Sequence, residues 1–484
     1  MRSTKSVITN FSWRLAERIG AQGITFVVGI VLARLLGPEA YGTIALVTVF
    51  TTILQVFADS GLGTALVQKK DSDDTDFSSV LFFNIPFCLA LYIIMFFAAP
   101  LIAAFYENDS LIPIIRVLCL TVLVSGVRNI LQAYVSKNFL FKNFFFATLC
   151  GTVAAGAVGI GMAYLGYGVW ALVAQQLTNS VVGTVMLAIV IRWRPKLAFS
   201  LRRLGGLVKF GWKLLLSSLI DTVYTDLTQL VIGKVYTTAD LAYYNKGNDL
   251  PRMATTAINS SIDSVLLPTL SEAQDDTERL KAMARRAIRT GTYIIAPMMI
   301  GFVACAEPFV RVLLGERWLD SVFFLRIFCI AYMFYPIHTS NLNAIKALGR
   351  SDWFLKLEIA KKLVGITLLV STMFISVRAM AYSVIISTVT SLLINTFPNR
   401  KLLKYSFIAQ IKDILPNLGL AVAMGIPVYF MQYIPIPAIA VLALQIITGV
   451  VLYIALSVIF KNETFFYILN IAKGFLKRSE KETT

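Results

Sequence analysis

The chain alternates long apolar blocks with short polar connections, from its first dozen residues to about residue 460. A bilayer core is crossed by about 20 apolar residues in a helix. On that length the pattern predicts about fourteen spans, at 11–34, 41–67, 77–105, 111–136, 144–165, 168–191, 213–236, 241–270, 289–314, 321–347, 354–376, 379–397, 412–433 and 437–460. The first block contains Arg14, Glu17 and Arg18 and runs on to Leu36. The apolar core of a cleavable signal peptide is shorter and uncharged, so this block is read as a span.

The connections set a direction. Even-numbered ones carry Lys69 and Lys70, Lys137 and Lys142, Arg192 through Lys209, Arg279 through Arg286, Arg350, and Arg400 through Lys404. The tail adds Lys461, Lys473, Lys477, Arg478 and Lys481, whereas the odd-numbered connections hold little beyond Arg34, Arg317 and Arg378. Basic residues collect on the cytoplasmic side, so both termini are expected inside. Two basic stretches, 192–213 and 464–478, read either as helices lying on an anionic leaflet or as plain topological anchors.

Composition agrees and excludes much else. Hydrophobic residues make up 57% of the 484 and charged residues 15%, with mean hydropathy +0.73. Soluble domains carry roughly 25% charged residues. A soluble enzyme, a disordered chain and a disulfide scaffold are excluded, leaving an all-α polytopic membrane protein. The net charge of +17 belongs to the cytoplasmic connections and requires no nucleic acid. Five cysteines lie singly within apolar runs and read as packing residues. One histidine, His338, argues against a multi-histidine metal site, and no metal or cofactor is expected. There is no GxSxG, P-loop or HExxH, and the outer connections are too short to carry a catalytic scaffold, so the chain is not expected to be an enzyme.

The chain repeats itself weakly. Phe11-Ser-Trp13-Arg14-Leu15 opens span one, and Phe210-Gly-Trp212-Lys213-Leu214 opens span seven. Span one leads into Arg34, Glu39 and Tyr41, and span seven into Lys234, Asp240 and Tyr243. Two six-helix lobes follow, 1–198 and 199–400, with a two-helix extension and tail over 401–484. Both copies start inside, so the repeat is parallel.

Chemistry is expected where polar residues interrupt the spans. A charge at the centre of a spanning helix costs about 2.5–3.5 kcal/mol. Glu17, Asp59, Arg128, Asp221, Asp226, Arg252 and Asp263 lie deep. Facing lipid, they would together cost roughly 17–25 kcal/mol, above a typical net stability. Thr48, Thr52, Gln55 and Asp59 share one helical face, as do Asn248, Arg252, Asn259 and Asp263 with Thr255 or Thr256. Asp221, Tyr224, Thr225 and Thr228 form a third stripe, and Arg14, Glu17, Arg18, Gln22 and Thr25 a fourth. The stripes fall on spans 1, 2, 7 and 8, the first two of each lobe, and are expected to line one wet chamber. Polar stripes also serve as interhelical hydrogen-bonding seams. Glu358 beside Lys361 and Lys362 reads as a local ion pair, and His338 as a satisfied buried histidine.

The opening Phe11-Ser-Trp13-Arg14, the segment Ala33-Arg34-Leu-Leu-Gly37-Pro38-Glu39-Ala-Tyr41-Gly42 and the segment Asp59-Ser-Gly61-Leu-Gly63-Thr-Ala65-Leu-Val-Gln68 resemble bacterial polysaccharide flippases and exporters. These form the Wzx/WzxC-like branch of the multidrug/oligosaccharidyl-lipid/polysaccharide superfamily. The resemblance covers essentially the whole chain and is most specific in the first 70 residues. It implies two six-helix bundles in a V, as in lipid II flippases and multidrug-and-toxin extruders, opening alternately to each side of the inner membrane. It implies movement of an undecaprenyl-pyrophosphate-linked oligosaccharide, a repeat unit of lipopolysaccharide or exopolysaccharide, to the outer leaflet. Arg14, Arg18 and Arg252 then match cationic residues that hold the pyrophosphate. Asn248, Asn259, Gln55 and Tyr224 are candidates for the sugar. Glu17, Asp59, Asp221, Asp226 and Asp263 are candidates for coupling to H+ or Na+. Polysaccharide assembly proteins are candidate partners. A cation-coupled drug extruder of the same fold, a polymerase or ligase of lipid-linked sugars, and a non-transporting scaffold are the competing readings. The arginines disfavour the first, the short outer connections the second, and the buried charge the third.

Overall fold

A computed structural model describes residues 4–191, 193–273, 275–470 and 473; the side chains of 4–12, 14–19, 264–265, 267–268 and 351 lie outside the described set. Among the described residues nearly everything is α-helix and there is no strand. The helices are α1 (Thr4–Leu35), α2 (Pro38–Asp59), α3 (Leu62–Gln68), α4 (Asp74–Tyr106), α5 (Leu111–Leu118), α6 (Leu120–Asn138), α7 (Phe141–Tyr164), α8 (Val169–Ile191) and α9 (Leu201–Val235). They continue with α10 (Thr238–Glu272), α11 (Thr277–Leu313), α12 (Ser321–Tyr332), α13 (Tyr335–Ala347), α14 (Ser351–Thr372), α15 (Val377–Leu402), α16 (Phe407–Phe430) and α17 (Ala438–Ile459).

Every expected span coincides with a helix or with a pair broken in the middle. The pairs are α2–α3, α5–α6 and α12–α13. Among the described residues ten of these segments are long and apolar enough to cross a membrane. The other four are α1, α9, α10 and α14. Their charges explain why apolarity does not select them: Asp221 and Asp226 on α9, Arg252 and Asp263 on α10, Glu358, Lys361 and Lys362 on α14. The number fourteen therefore rests on polar helices that need company to enter a bilayer. The repeat has a local counterpart: α1 ends at Leu35 and α2 starts at Pro38, while α9 ends at Val235 and α10 starts at Thr238.

Packing divides the chain into two compact units, Met1–Ala242 and Tyr243–Thr484. In the first, α7 lies between α1 and α8. Its buried Ala147, Gly151, Ala155 and Gly159 recur every fourth residue and let helix backbones approach. A Cβ on Gly151 would stand 2.9 Å from Gly183 Cα of α8. Helix α9, which the repeat assigns to the second lobe, packs here against α2, α3 and α4. The closest approach is at the α2–α3 break, where Ser60 and Gly61 are both left-handed (φ 50° and 65°). A Cβ on Gly211 of α9 would lie 2.8 Å from the Ser60 carbonyl oxygen.

The basic linker is not a separate surface helix among its described residues. Residues 194–200 are non-helical, and α9 runs unbroken from Leu201. Trp193 is buried with Phe77 and Tyr134, and its indole donates to Asp74 Oδ1 at 3.3 Å. The Lys196 and Ser200 amides donate to the Ser78 and Ser79 hydroxyls at 2.9 and 3.0 Å. Arg203 Nη1 is 2.7 Å from both Asp73 oxygens, and Lys69 is 2.6 Å from the fully buried Asp76. The Arg203 hydrogen bond holds the Asp73 carboxyl below the usual carboxylate range. Asp73, Asp74, Asp76, Ser78 and Ser79 at the start of α4 thus hold a linker whose composition alone fits a membrane surface or a topological anchor.

In the second unit α11 is central, with α16, α12, α17 and α13 around it and α14 against α15. The two-helix extension is therefore an integral wall of its unit. Asp413 of α16 accepts from Arg285 and Arg289 of α11 and from Tyr405. A buried amide cluster continues from there: Asn341 is bonded to both Asn399 and Gln410, at 2.6–3.0 Å. The tail begins with a helical segment, 463–470, docked by an ion pair from Glu463 to Arg289 at 2.8 Å. The remainder of the expected 464–478 surface helix lies, apart from Lys473, outside the described residues. Four of the five cysteines are buried and Cys150 is exposed.

Candidate functional site

The first unit holds a polar cavity of about 490 Å³ between α2, α3 and α6. Gln55 and Asp59 enter from α2, Thr64 from α3, and Ser125, Asn129, Gln132 and Ser136 from α6. The α6 residues follow i, i+4, i+7, i+11, one face of a helix. The α2 break redirects the chain so that α3 follows α2 along the same wall. A side chain at Gly63 would stand 3.2 Å from Asp59 Oδ1, so the glycine leaves the carboxylate its room. The opposite faces of α3 and α6 bury Leu62, Leu66, Ile130 and Leu131 in the unit's core.

One buried side chain sets the spacing of these walls. Asn84 of α4 is 1% exposed, and its amide donates to the Ala58 carbonyl of α2 at 2.9 Å and to the Gly126 carbonyl of α6 at 3.0 Å. Nothing in the pattern marks Asn84 beyond its being a lone amide in an apolar run. The cavity presents mainly hydroxyls and amides with a single carboxylate. Such a wall exchanges hydrogen bonds with a polyhydroxylated ligand.

The other expected residues are distributed as follows. Asp221 is exposed on α9 and Tyr224 half-buried near the same face. Asp226, five residues on, projects about 140° away from Asp221, and it accepts from Gln229 at 3.0 Å. On α10 the stripe divides. Tyr332 donates to Asn248 Oδ1 at 3.0 Å, Thr339 to Asn259 Oδ1 at 3.4 Å, and Asn343 to Asp263 Oδ1 at 2.7 Å. These three form a polar seam with α12 and α13 inside the second unit, and Asn259 is buried. Arg252 and Thr256 flank the seam and are exposed; Arg252 Nη2 is 3.3 Å from Asp249. The side chains of Arg14, Glu17 and Arg18 lie outside the described residues.

Lesser expectations also resolve. Glu358 pairs with Lys361 at 2.6 Å. His338 Nδ1 is hydrogen-bonded to the Asn395 amide at 3.0 Å. Among the described residues no three His, Cys, Asp or Glu side chains cluster as a metal site would require.

A family profile described as "Polysaccharide biosynthesis protein" matches residues 31–323. The succinoglycan biosynthesis transport protein ExoT of Rhizobium meliloti is 25% identical over 65% of this chain and 64% of its own length. The teichuronic acid biosynthesis protein TuaB of Bacillus subtilis is 22% identical over 84% of this chain and 86% of its own. The lipopolysaccharide biosynthesis protein WzxC of Escherichia coli is 22% identical over 75% and 74%. Among solved structures, the lipid II flippase MurJ in an inward closed conformation matches with TM-score 0.74 and 16% identity, covering 96% of this chain and all of that one. An inward-facing multidrug resistance MATE transporter of the MOP superfamily matches with TM-score 0.64 and 15% identity, covering 84% of this chain and 99% of that one. The fold is that of the lipid II flippase and the multidrug extruders, and the chain belongs to the polysaccharide biosynthesis protein family.

Proposed function

We propose that this protein moves a polyprenyl-pyrophosphate-linked oligosaccharide from the cytoplasmic to the outer leaflet of the inner membrane, with no covalent step. The observation that carries the reading is the hydroxyl- and amide-lined cavity of Gln55, Asp59, Asn129 and Gln132, built on helices apolar enough to span a bilayer. A sugar headgroup cannot cross hydrocarbon unaided, because each unpaired hydroxyl costs several kcal/mol on transfer. A wall that replaces water's hydrogen bonds removes that cost. Family membership and the succinoglycan, teichuronic acid and lipopolysaccharide roles in the relatives' names support the substrate class.

In this account 1–198 and 199–400 are the two lobes, 401–484 completes the second, both termini are cytoplasmic, and the lobes open alternately. Arg14, Arg18 and Arg252 grip the pyrophosphate through paired N–H donors. Asp59 and Asp221, with Glu17, Asp226 and Asp263, are the groups through which H+ or Na+ drives the cycle, and assembly proteins take up the product. The extruder alternative rests on the shared fold alone, whereas the family profile and the curated relatives are of polysaccharide biosynthesis, so the polysaccharide reading is preferred.

Deletion of the gene tests it. Mass spectrometry of lipid extracts is expected to find lipid-linked repeat units accumulating in spheroplasts, protected from externally added glycosidase. Cells that lack the gene yet export normal surface polysaccharide, with no accumulated intermediate, would refute the assignment.

A further inference from the structure

A second charged cavity lies in the Tyr243–Thr484 unit, between the first turns of α11 and the segment 463–470, with a volume of about 490 Å³. Lys281, Arg285 and Arg289 recur every fourth residue along α11 and stack on one face, with Arg286 beside them. Asp413 stands behind this row. It is 5% exposed, and Arg285 and Arg289 reach it at 2.5 and 2.7 Å while staying 50% and 29% exposed themselves. The Arg285 fork is thus held from behind with Nη1 left over, while Arg289 spends Nε and Nη2 on Asp413 and Nη1 on Glu463. Glu278 approaches Lys281 at 3.7 Å, and Glu463 approaches Arg289 at 2.8 Å.

Four cations therefore meet three carboxylates, and the excess charge falls on Arg286. It has no carboxylate within 4.0 Å among the described residues, and its guanidinium lies over the Tyr467 ring at 4.7 Å. One uncompensated, exposed guanidinium, in a cavity that Thr290 and Thr464 also line, matches a group with one negative charge and several acceptor oxygens. A phosphodiester carries one such charge at any pH near neutrality, whereas a free phosphate ion there is divided between its singly and doubly charged forms. Helix α11 continues from the cavity as an apolar spanning segment, which gives acyl chains a surface to follow.

We propose that this cavity is a binding site for the phosphodiester headgroup of an anionic phospholipid, held chiefly by Arg286 and Lys281. It is separate from the polar cavity of the first unit and does not depend on which substrate is transported. A bound headgroup would bridge α11 to the segment 463–470 and fasten the tail to its unit. The shared chemistry with soluble phosphate makes the tails the discriminating feature.

Native mass spectrometry of the full chain, titrated with phosphatidylglycerol, phosphatidylcholine and inorganic phosphate, tests the site. Phosphatidylglycerol is expected to bind at least tenfold more tightly than phosphatidylcholine, and millimolar phosphate is expected not to displace it. K281Q/R286Q should bring phosphatidylglycerol down to the phosphatidylcholine level. R202Q/K209Q, the same charge change on exposed positions of α9, should leave it intact. R286K disturbs the fold least and should bind more tightly than R286Q. Unchanged phosphatidylglycerol binding in K281Q/R286Q, an equal loss in R202Q/K209Q, or displacement by phosphate alone would each overturn the proposal.

Discussion

Replacing Asp413 with alanine probes the ion cluster that joins α11 to α16. The carboxylate receives five hydrogen bonds: Nε and Nη2 of Arg285 at 2.7 and 2.5 Å, Nε and Nη2 of Arg289 at 3.1 and 2.7 Å, and the Tyr405 hydroxyl at 2.8 Å. The substitution strands two guanidiniums and a buried phenol. Removing one partner of a fully buried ion pair costs about 3–5 kcal/mol. Here Arg285 is half exposed and Arg289 keeps Glu463, so solvent and that second carboxylate recover part of the loss. The net cost is about 2–4 kcal/mol. For a unit of this size it lowers the unfolding midpoint by about 5–10 °C. Scanning fluorimetry of purified protein in detergent measures it. D413N keeps the shape and an oxygen acceptor for Tyr405 and should fall between parent and D413A. In a double-mutant cycle D413A and R285Q should couple, the pair costing less than the sum of the singles. A D413A midpoint within about 1 °C of the parent would show that the cluster does not hold α11 to α16, since a buried carboxylate with five donors cannot be energetically silent.

Other outcomes follow from the same contacts. Gly211→Val drives a side chain into the Ser60 carbonyl and should cost about 2–3 kcal/mol, whereas Gly205→Ala, with nothing within 4 Å, should be neutral or stabilising; thermal melts compare them. Asn84→Leu removes both bonds that space α2 and α6, and is expected to destabilise by about 1–3 kcal/mol and to lower transport without contacting the ligand. Asp73 is held below the ordinary carboxylate value by Arg203, so its contribution is complete above about pH 4 and is lost as the pH falls through the lower folded value. Acid unfolding curves of the parent should therefore drop more steeply below that pH than those of D73N, and parallel curves would count against the linker clamp.

The sequence made legible what depends on periodicity. Blocks of about 20 largely apolar residues located the ten strongly apolar segments and, less plainly, the polar α1, α9, α10 and α14, because the bilayer imposes that length whatever the helix touches. The pairing of Gln55 with Asp59 followed from their spacing, and both line the cavity with Gln132. Periodicity names a face but not what the face meets. Asn248, Asn259 and Asp263 share a stripe, yet it is Tyr332, Thr339 and Asn343, some 80 residues on, that receive them. Asn84 bonds backbone carbonyls 26 and 42 residues away, which carry no side-chain signal at all. Asp413 and Arg285 are 128 residues apart, so their pairing is visible only once α11 and α16 are seen side by side. The charges of the linker before α9 fitted either a leaflet or a plain anchor, and its partners, Asp73, Ser78 and Ser79 around the first two turns of α4, lie some 120 residues earlier and leave no local signal.

On the proposed function, the polar cavity of the first unit carries a lipid-linked sugar headgroup across the membrane. Purified protein in liposomes loaded with lipid-linked oligosaccharide, probed by an external glycosidase, measures this directly. Parent protein is expected to expose nearly the whole lipid pool to the enzyme. A variant with Asp59→Asn and Gln132→Leu should fall at least tenfold in initial rate at equal protein content. A parent that leaves the inner-leaflet pool protected, or a cavity variant as fast as the parent, would contradict it.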